Sequence, residues 1–483
     1  MDDPGLPIKL NPCSNGEFAP QPPSEVVREA VRRARRACDE NARRIGMDRR
    51  QFLLSSMGAA TTLIALAACS SESDDSSGND SGGAFDVPDE ATVDPDAALE
   101  TLGSDQPVID VQTHLLEYPE GHSGGIGSLF PFADECGEEN PDDCFTTAHW
   151  IEEVFGRSDT TVAVISALPA LGDPDPLSAE VMAQAKDQLV ELCGDGRVLV
   201  QGHAWPNVGD LQAALDAMEA ESERFPVVAW KTYTHVGPGY TLDDHDGVQV
   251  GEAFLNKVEE LGPPIVCVHK GLAIIGGGQP QFASPVDIGP AASNHPDLTF
   301  CIYHSGFEAG AVEGPYDPDA PNESVDRLVK TLEDNGIEPG GNVYAELGST
   351  WRFIMGDPNG AAHLLGKLLK AVGEDRILWG TDSIWYGSPQ DQIQAFRAFE
   401  ISEQFQEQYG YPALSDEIKH KILWRNAARL HDIDVARVPC ELDPATAEEA
   451  RQSSRLPNRT YGPTTAAGAR RLFAAEHPWA FRT

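Results

Sequence analysis

The sequence predicts an α/β chain built on a distorted (β/α)8 TIM barrel, a parallel barrel of eight strands. Three observations predict it. Short apolar runs lie at residues 108–111, 161–167, 198–203, 227–233, 265–269, 298–304, 342–347 and 377–381. They are nearly continuous in Val, Ile and other apolar residues, as in strands buried on both faces. Helical candidates at 179–193, 210–225, 249–261, 324–335 and 361–372 lie between the runs, and Leu211, Leu215, Met218 and Phe225 fall near one face at helical spacing. Alternation of this kind points to a parallel barrel. An open doubly wound sheet is the competitor, but no Gly-x-Gly-x-x-Gly follows the first run, so a dinucleotide fold has little support.

The elements follow in order along the 483 residues. Residues 1–46 read as a leader of unknown role, Arg- and Ala-rich and helix-compatible over 25–44; translation starting at Met47 is the other reading. In 47–69, Arg49-Arg50 precede an uncharged stretch, 52–68, that is short for a membrane span and fits the apolar region of a secretory signal. It resembles a twin-arginine export signal. The ending Leu66-Ala-Ala-Cys69 resembles a bacterial lipoprotein box, which implies lipidation at Cys69; an unprocessed N-terminal anchor is the alternative. Residues 70–104 hold ten acidic and no basic side chains as far as Glu100, with many Ser and Gly, and are expected to form a disordered acidic linker. The barrel is expected over 105–435. Its last helix starts at Ser415, a good N-cap, and carries Ile418, Ile422, Leu423 and Leu430 as its apolar stripe. A polar C-terminal extension, 436–483, is expected to wrap the barrel without a core of its own.

Charge removes some functions. The 35 Lys and Arg against 77 Asp and Glu give a net charge of −42. Nucleic-acid binding needs clustered cations, and so does adsorption to an anionic membrane face. The expected partner is a small-molecule substrate, with membrane contact only through an N-terminal lipid. Nine cysteines are too few for a disulfide-built scaffold. Cys136 and Cys144 lie close together in a polar insertion, as a disulfide or as two thiols. Cys193, Cys267 and Cys301 fall in predicted core elements and are expected to be inert.

Chemistry in such a barrel sits at the C-terminal ends of the strands. There the chain places Gln112 and His114 after the first run, Lys231 in the fourth, His269 after the fifth, His304 after the sixth, Glu346 at the seventh and Asp382 after the eighth. A single strand-end His is usually structural. Three imidazoles and a carboxylate at one mouth suit a divalent metal such as Zn2+.

Asp110-Val-Gln-Thr-His114, Val268-His-Lys-Gly271, Tyr303-His-Ser-Gly306 and Leu378-Trp-Gly-Thr-Asp382 resemble the strand-end motifs of the amidohydrolase superfamily. They are most similar to its amidohydrolase-related second family, which contains metal-dependent hydrolases and aminocarboxymuconate-semialdehyde-type decarboxylases. The closing Arg425-Asn-Ala-Ala-Arg-Leu430 is similar to that branch's terminal helix. The resemblance spans about 105–432. It implies one divalent metal, Zn2+ or Mn2+, held by His114, His269 and Asp382, with His304 and Asp382 catalytic.

The departure is Gln112, where that family usually has His. Its amide oxygen is a neutral and poorer ligand. It either assists a weaker metal site, favours a harder ion such as Mn2+, or only bonds substrate at an empty site. Lys231 and Glu346 are substrate-binding candidates, with a structural ion pair as the other role for Lys231. His203 and His235 are further mouth residues expected to give support. Gly276-Gly-Gly278 is expected to be a flexible edge of the mouth.

The expectation is an exported hydrolase using metal-activated water on a C–N or C–O bond of a small molecule. A non-oxidative decarboxylase of a small unsaturated or aromatic acid is the alternative. A binding lipoprotein with a degenerate site is the third reading.

Overall fold

The computed structural model describes residues 4–15, 18–77, 82–117, 136–169, 175–272, 279–440 and 443–476. The Gly276–Gly278 stretch lies outside them.

Among the described residues ten strands form, in chain order: β1 (Gly83–Phe85), β2 (Ile109–Thr113), β3 (Val162–Ile165), β4 (Val198–His203), β5 (Val227–Tyr233), β6 (Ile265–His269), β7 (Thr299–Tyr303), β8 (Val343–Glu346), β9 (Ile377–Leu378) and β10 (Phe399–Ile401). Strands β2 to β9 pair in sequence order, all parallel. The sheet closes on itself. Val111 N donates to Trp379 O (3.0 Å), Asp382 N to Gln112 O (2.9 Å) and His114 N to Ser383 O (2.6 Å), joining β2 to the chain leaving β9. The result is the expected (β/α)8 barrel. β9 is shorter than its apolar run, and past Leu378 the chain stays bonded to β2 as far as Asp382 and Ser383.

Asp110 braces this closure. Its Oδ1 accepts from Gln112 N (3.1 Å) and Thr381 N (3.0 Å), and its Oδ2 accepts from Thr381 Oγ1. Burial pushes this carboxyl up to about 7.

The chain before the barrel is folded. Helix α1 (Glu25–Ile45) is capped by Ser24 at its start and by Gly46, at φ +70°, at its end. Val27, Ala30, Ala34, Cys38 and Ala42 recur every three or four residues and are buried. After the short helix α2 (Arg49–Leu53) comes α3 (Ser56–Ser77), which packs on α1. Leu63, Leu66 and Cys69 are buried in the same core as the outer barrel helices. The stretch read as an export signal is thus interior to this fold. Arg49 pairs with Asp39 (2.7 Å), and Arg50 donates to the carbonyls of Ser454, Arg455 and Leu456. Among the described residues no helix is long and apolar enough to cross a membrane.

The expected disordered linker needs correction. Residues 82–102 form β1, which pairs antiparallel with β10, then a 3-10 turn and helix α4 (Pro95–Leu102). Phe85, Ala91, Ala98 and Leu102 are buried. A stretch too acidic to make a core alone needs only these four contacts when α3 and the barrel supply the opposing surface.

The C-terminal segment crosses the strand ends together with residues 4–15. Asn458 N donates to Pro4 O (2.6 Å), Ser14 N to Pro463 O (3.0 Å) and Tyr461 N to Trp385 O (3.1 Å). Cys136 forms a disulfide with Cys144. Cys193, expected to be inert, is bonded to Cys440. It ends the helix Ala179–Cys193, where the returning C-terminal chain passes. Cys267 and Cys301 are buried free thiols on paired strands.

Candidate active site

Gln112, His114, Lys231, His269, His304, Glu346 and Asp382 meet at the C-terminal ends of the strands, each at most 1% exposed. Their backbone is unusual there. His304 (φ +67°), Ser305 (+53°), Ser349 (+55°) and Asp382 (+58°) all adopt the left-handed conformation that non-glycine residues avoid. Such strain is held by surrounding structure and gathers at functional sites.

The residues divide into two groups. Asp382 organises the first. Its Oδ1 lies 3.0 Å from Gln112 Nε2 and 3.0 Å from His114 Nε2. Its Oδ2 accepts from Ser349 Oγ (2.5 Å) and Asn15 Nδ2 (3.0 Å). Three donors thus reach a carboxylate that offers about four acceptor positions, and His114 Nε2 lies beside it without a hydrogen bond. Burial works to raise its proton affinity, but His114, His304 and Ser349 outweigh it and hold the carboxyl below its ordinary value. His114 Nδ1 is fixed by Ser166 O (2.8 Å), and Tyr386 Oη bonds Ser349 Oγ (2.7 Å).

Imidazoles make the second group. His304 Nδ1 lies 2.7 Å from Gly348 O and His269 Nε2 lies 3.0 Å from Gly271 O. Each of these nitrogens carries hydrogen, because a carbonyl only accepts. The remaining nitrogens, His304 Nε2 and His269 Nδ1, face each other at 3.2 Å. Burial keeps both rings neutral, lowering His304 to about 4 and His269 well below its ordinary value. Two neutral rings therefore present two lone pairs to each other. A proton placed between them satisfies both, so the pair is a proton-accepting position. His235 lies against His269, with ring centroids 4.5 Å apart. Neither of its ring nitrogens has a hydrogen-bond partner among the described residues, and burial lowers it to about 3. Sequence alone assigned His235 only a supporting role.

Glu346 and Lys231 sit between the groups. Glu346 accepts from His304 N (3.0 Å) and Gly348 N (2.6 Å) and so holds the rim turn. Burial pushes its carboxyl up to about 8. The Lys231 ammonium lies over the rings of Tyr303 (3.7 Å) and Tyr233 (4.7 Å), a cation–π arrangement. His203 is structural, held by Glu221 (3.2 Å) and Leu177 O (2.9 Å).

The expected metal set does not assemble. His114 and Asp382 face each other, while His269 turns to His304 and Gly271. Gln112 presents its N–H, not its oxygen, to Asp382, and its Oε1 has no partner. Among the described residues no group of three or more His, Cys, Asp or Glu is placed to hold a metal ion. His114 Nε2 and Gln112 Oε1, both buried without a hydrogen-bond partner among the described residues, together with Asp382 would be the atoms to hold a divalent ion, while His269 is turned away to His304 and Gly271.

Two contributors escaped sequence reasoning. Ser349 follows β8 in Gly348-Ser-Thr350, and its place at a strand end was the available signal. Asn15 lies 367 positions from Asp382, and nothing in its neighbourhood marks it.

A parallel barrel with strained, buried acid–base groups at the strand ends defines an enzyme scaffold of the amidohydrolase type. The chain belongs to the amidohydrolase family, whose model matches residues 109–433. Among solved structures it is similar to a candidate 2-pyrone-4,6-dicarboxylic acid hydrolase from Pseudomonas putida, at 16% identity and TM-score 0.41, covering 68% of this chain and 99% of that one. It is also similar to 5-carboxyvanillate decarboxylase from Sphingomonas paucimobilis, at 14% identity and TM-score 0.41, covering 68% and 100%. The same enzyme from Novosphingobium aromaticivorans, solved with manganese, matches at 13% identity and TM-score 0.42, covering 68% and 96%. No curated protein matches the chain.

Proposed function

We propose that this amidohydrolase-family enzyme hydrolyses a C–N or C–O bond of a small molecule, with the His269–His304 pair as the general base. The observation that supports this most directly is the 3.2 Å approach of His304 Nε2 and His269 Nδ1, whose opposite ring nitrogens face backbone carbonyls. Water attacking the substrate gives up a proton to that position, and general-base assistance of this kind contributes about 10²–10⁴-fold. The new imidazolium is stabilised by Asp382, which is ionised and raises the proton affinity of His304. The proton then returns to the leaving nitrogen or oxygen. Lys231 supplies a buried positive charge toward which a substrate oxyanion or carboxylate is drawn. No step is routed through a metal.

A second reading, non-oxidative decarboxylation, is favoured by Glu346. A carboxyl that keeps its proton up to about pH 8 can deliver it to the carbon losing CO2.

The test is a panel of small lactones, esters and amides followed by acid release, beside small aromatic acids followed by CO2 release. Hydrolysis abolished by His304→Asn supports the first reading. CO2 release without hydrolysis replaces it with the second. Silence on both leaves the binding-protein reading.

We also propose that the chain is exported with its N-terminal segment retained. Two disulfides suit an oxidising compartment. The burial of Cys69 and the bond from Asn15 to Asp382 favour retention over cleavage and lipidation at Cys69. Intact mass of the cell-derived protein tests this; a chain starting at a lipid-modified Cys69 refutes it.

A further inference from the structure

Several buried cations in this protein face carboxylates. Lys9 pairs with Asp391, Arg157 with Glu153, Lys270 with Asp287, Lys367 with Glu313 and Arg451 with Glu448. Lys231 lies over tyrosine rings, Arg197 donates to three backbone carbonyls, and Arg352 is held by less than either. It is 3% exposed, yet its contacts are a bond from Nη2 to Asn11 O (2.8 Å) and the Tyr386 ring at 5.7 Å. Its Nε has no partner, and no Asp or Glu among the described residues forms an ion pair with it. A buried guanidinium without a counter-charge is costly.

Arg352 lines a cavity of about 230 Å³ between the N-terminal segment and the rim loops. The other walls are mostly apolar, including Leu10, Phe18, Phe307, Phe353 and Met355. Such a cavity, apolar with one convergent charged group, has the general character of a small-ligand site.

We propose that this cavity binds a small carboxylate with a compact apolar body, the carboxylate neutralising Arg352. The ligand accepts from Nε–H and a free N–H of the guanidinium fork, a charge-assisted and directional contact. Its apolar body fills the space against Phe18, Phe353 and Met355. The site is distinct from the His269–His304 pair and does not rest on the hydrolytic reading. It communicates with Asp382 through Tyr386 and Ser349, whose hydroxyls are 2.7 Å apart.

The experiment is calorimetric titration of the full chain with benzoate and with its neutral counterpart benzamide, in wild type, Arg352→Met and Ala309→Phe. Ala309→Phe fills the cavity from its half-buried side and leaves Arg352 in place. Benzoate is expected to bind wild type about tenfold or more tighter than benzamide, and Arg352→Met to erase that preference. Ala309→Phe is expected to weaken both ligands. The proposal is overturned if wild type binds neither at about 10 mM, or binds both equally. It is also overturned if Ala309→Phe leaves benzoate binding unchanged, an arm that stands even where Arg352→Met fails to fold.

Discussion

The two sides of the barrel mouth are equally buried and chemically opposite. Around Asp382 three donors, Gln112, Ser349 and Asn15, are in place with His114 close by, and the group stays ionised. Around His269, His304 and His235 the rings stay neutral, and nitrogens are left without protons to share. The same low-dielectric surroundings produce both results. Burial disfavours charge on either side, and only donors placed within hydrogen-bond reach reverse it. The saturated side fixes a charge, and the unsaturated side can take one up.

Removing the unsaturated side has the largest effect expected. His304→Asn keeps a polar side chain, smaller than the imidazole, but loses the shared proton position, so turnover falls on the order of 10³-fold while thermal stability at pH 7 holds. A loss under tenfold in a folded variant means that the pair is not the base.

The saturated side depends on its anchor. Lys9 donates to Asp391 Oδ1 (2.8 Å) and Ser388 O (2.7 Å), fixing the segment that presents Asn15. Lys9→Met strands the buried Asp391, and unfolding in urea should show a loss of about 3–5 kcal/mol. Lys9→Met with Asp391→Leu removes both charges and should recover most of it. No recovery in the double variant means that the pair is not what holds the segment.

Metal content separates the two sides next. Wild type is expected to retain well under one divalent ion per chain after dialysis, since three hydrogen bonds hold Asp382 and His269 is turned to His304. Gln112→His replaces an N–H donor by a ligating nitrogen, and ion affinity should rise on the order of tenfold or more. A full equivalent of metal in wild type that vanishes in His269→Ala restores the expected four-residue site in place of the arrangement seen here.

Acid titration distinguishes the sides without substrate. His235 and His304 resist protons when folded but accept them near 6.5 when unfolded. Their contribution is complete above pH 6.5 and is lost as pH falls toward 4, at about 1.4 kcal/mol per pH unit for each ring. Asp382, depressed when folded, keeps its contribution until pH drops below about 3.8. Glu346, raised to about 8, works in the other sense, losing its contribution as pH climbs from 4 through 8. In His235→Phe the fall in stability between pH 6.5 and 4 should be shallower by one proton. In Glu346→Gln the fall above neutral pH should shrink. Parallel curves for His235→Phe and wild type contradict the neutral ring.

The barrel was legible because its strands are buried on both faces and leave continuous apolar runs. β4, β5 and β6 match their runs to the residue, and the strand-end residues Gln112, His114, His269, His304 and Asp382 follow from them. Side-chain direction was not legible. Whether His269 meets Asp382 or His304 depends on its χ angles and on Gly271 O, and sequence order carries neither. The cover over the mouth was illegible for another reason. Residues 4–15 have no periodicity, and their partners Asp382, Asp391 and Pro463 are hundreds of positions away. The acidic stretch at 82–102 misled because its few apolar residues bury against surface supplied by other elements.

The smallest effect expected belongs to Asn15, and it tests whether the saturated side has donors to spare. Asn15→Ala removes one of three donors to Asp382 Oδ1 and Oδ2, leaving Ser349 on the same oxygen. A hydrogen bond to a charged group is worth about 1.5–3 kcal/mol, and the surviving donors absorb part of its loss. Turnover should fall about three- to tenfold, with the acid limb of the pH profile moving upward as the carboxylate becomes easier to protonate. Asn15→Asp, which sets a second carboxylate against the first, should move that limb further in the same direction. Unchanged acid limbs in both variants mean that Asn15 only packs beside Asp382, and that Gln112 and Ser349 already hold the charge.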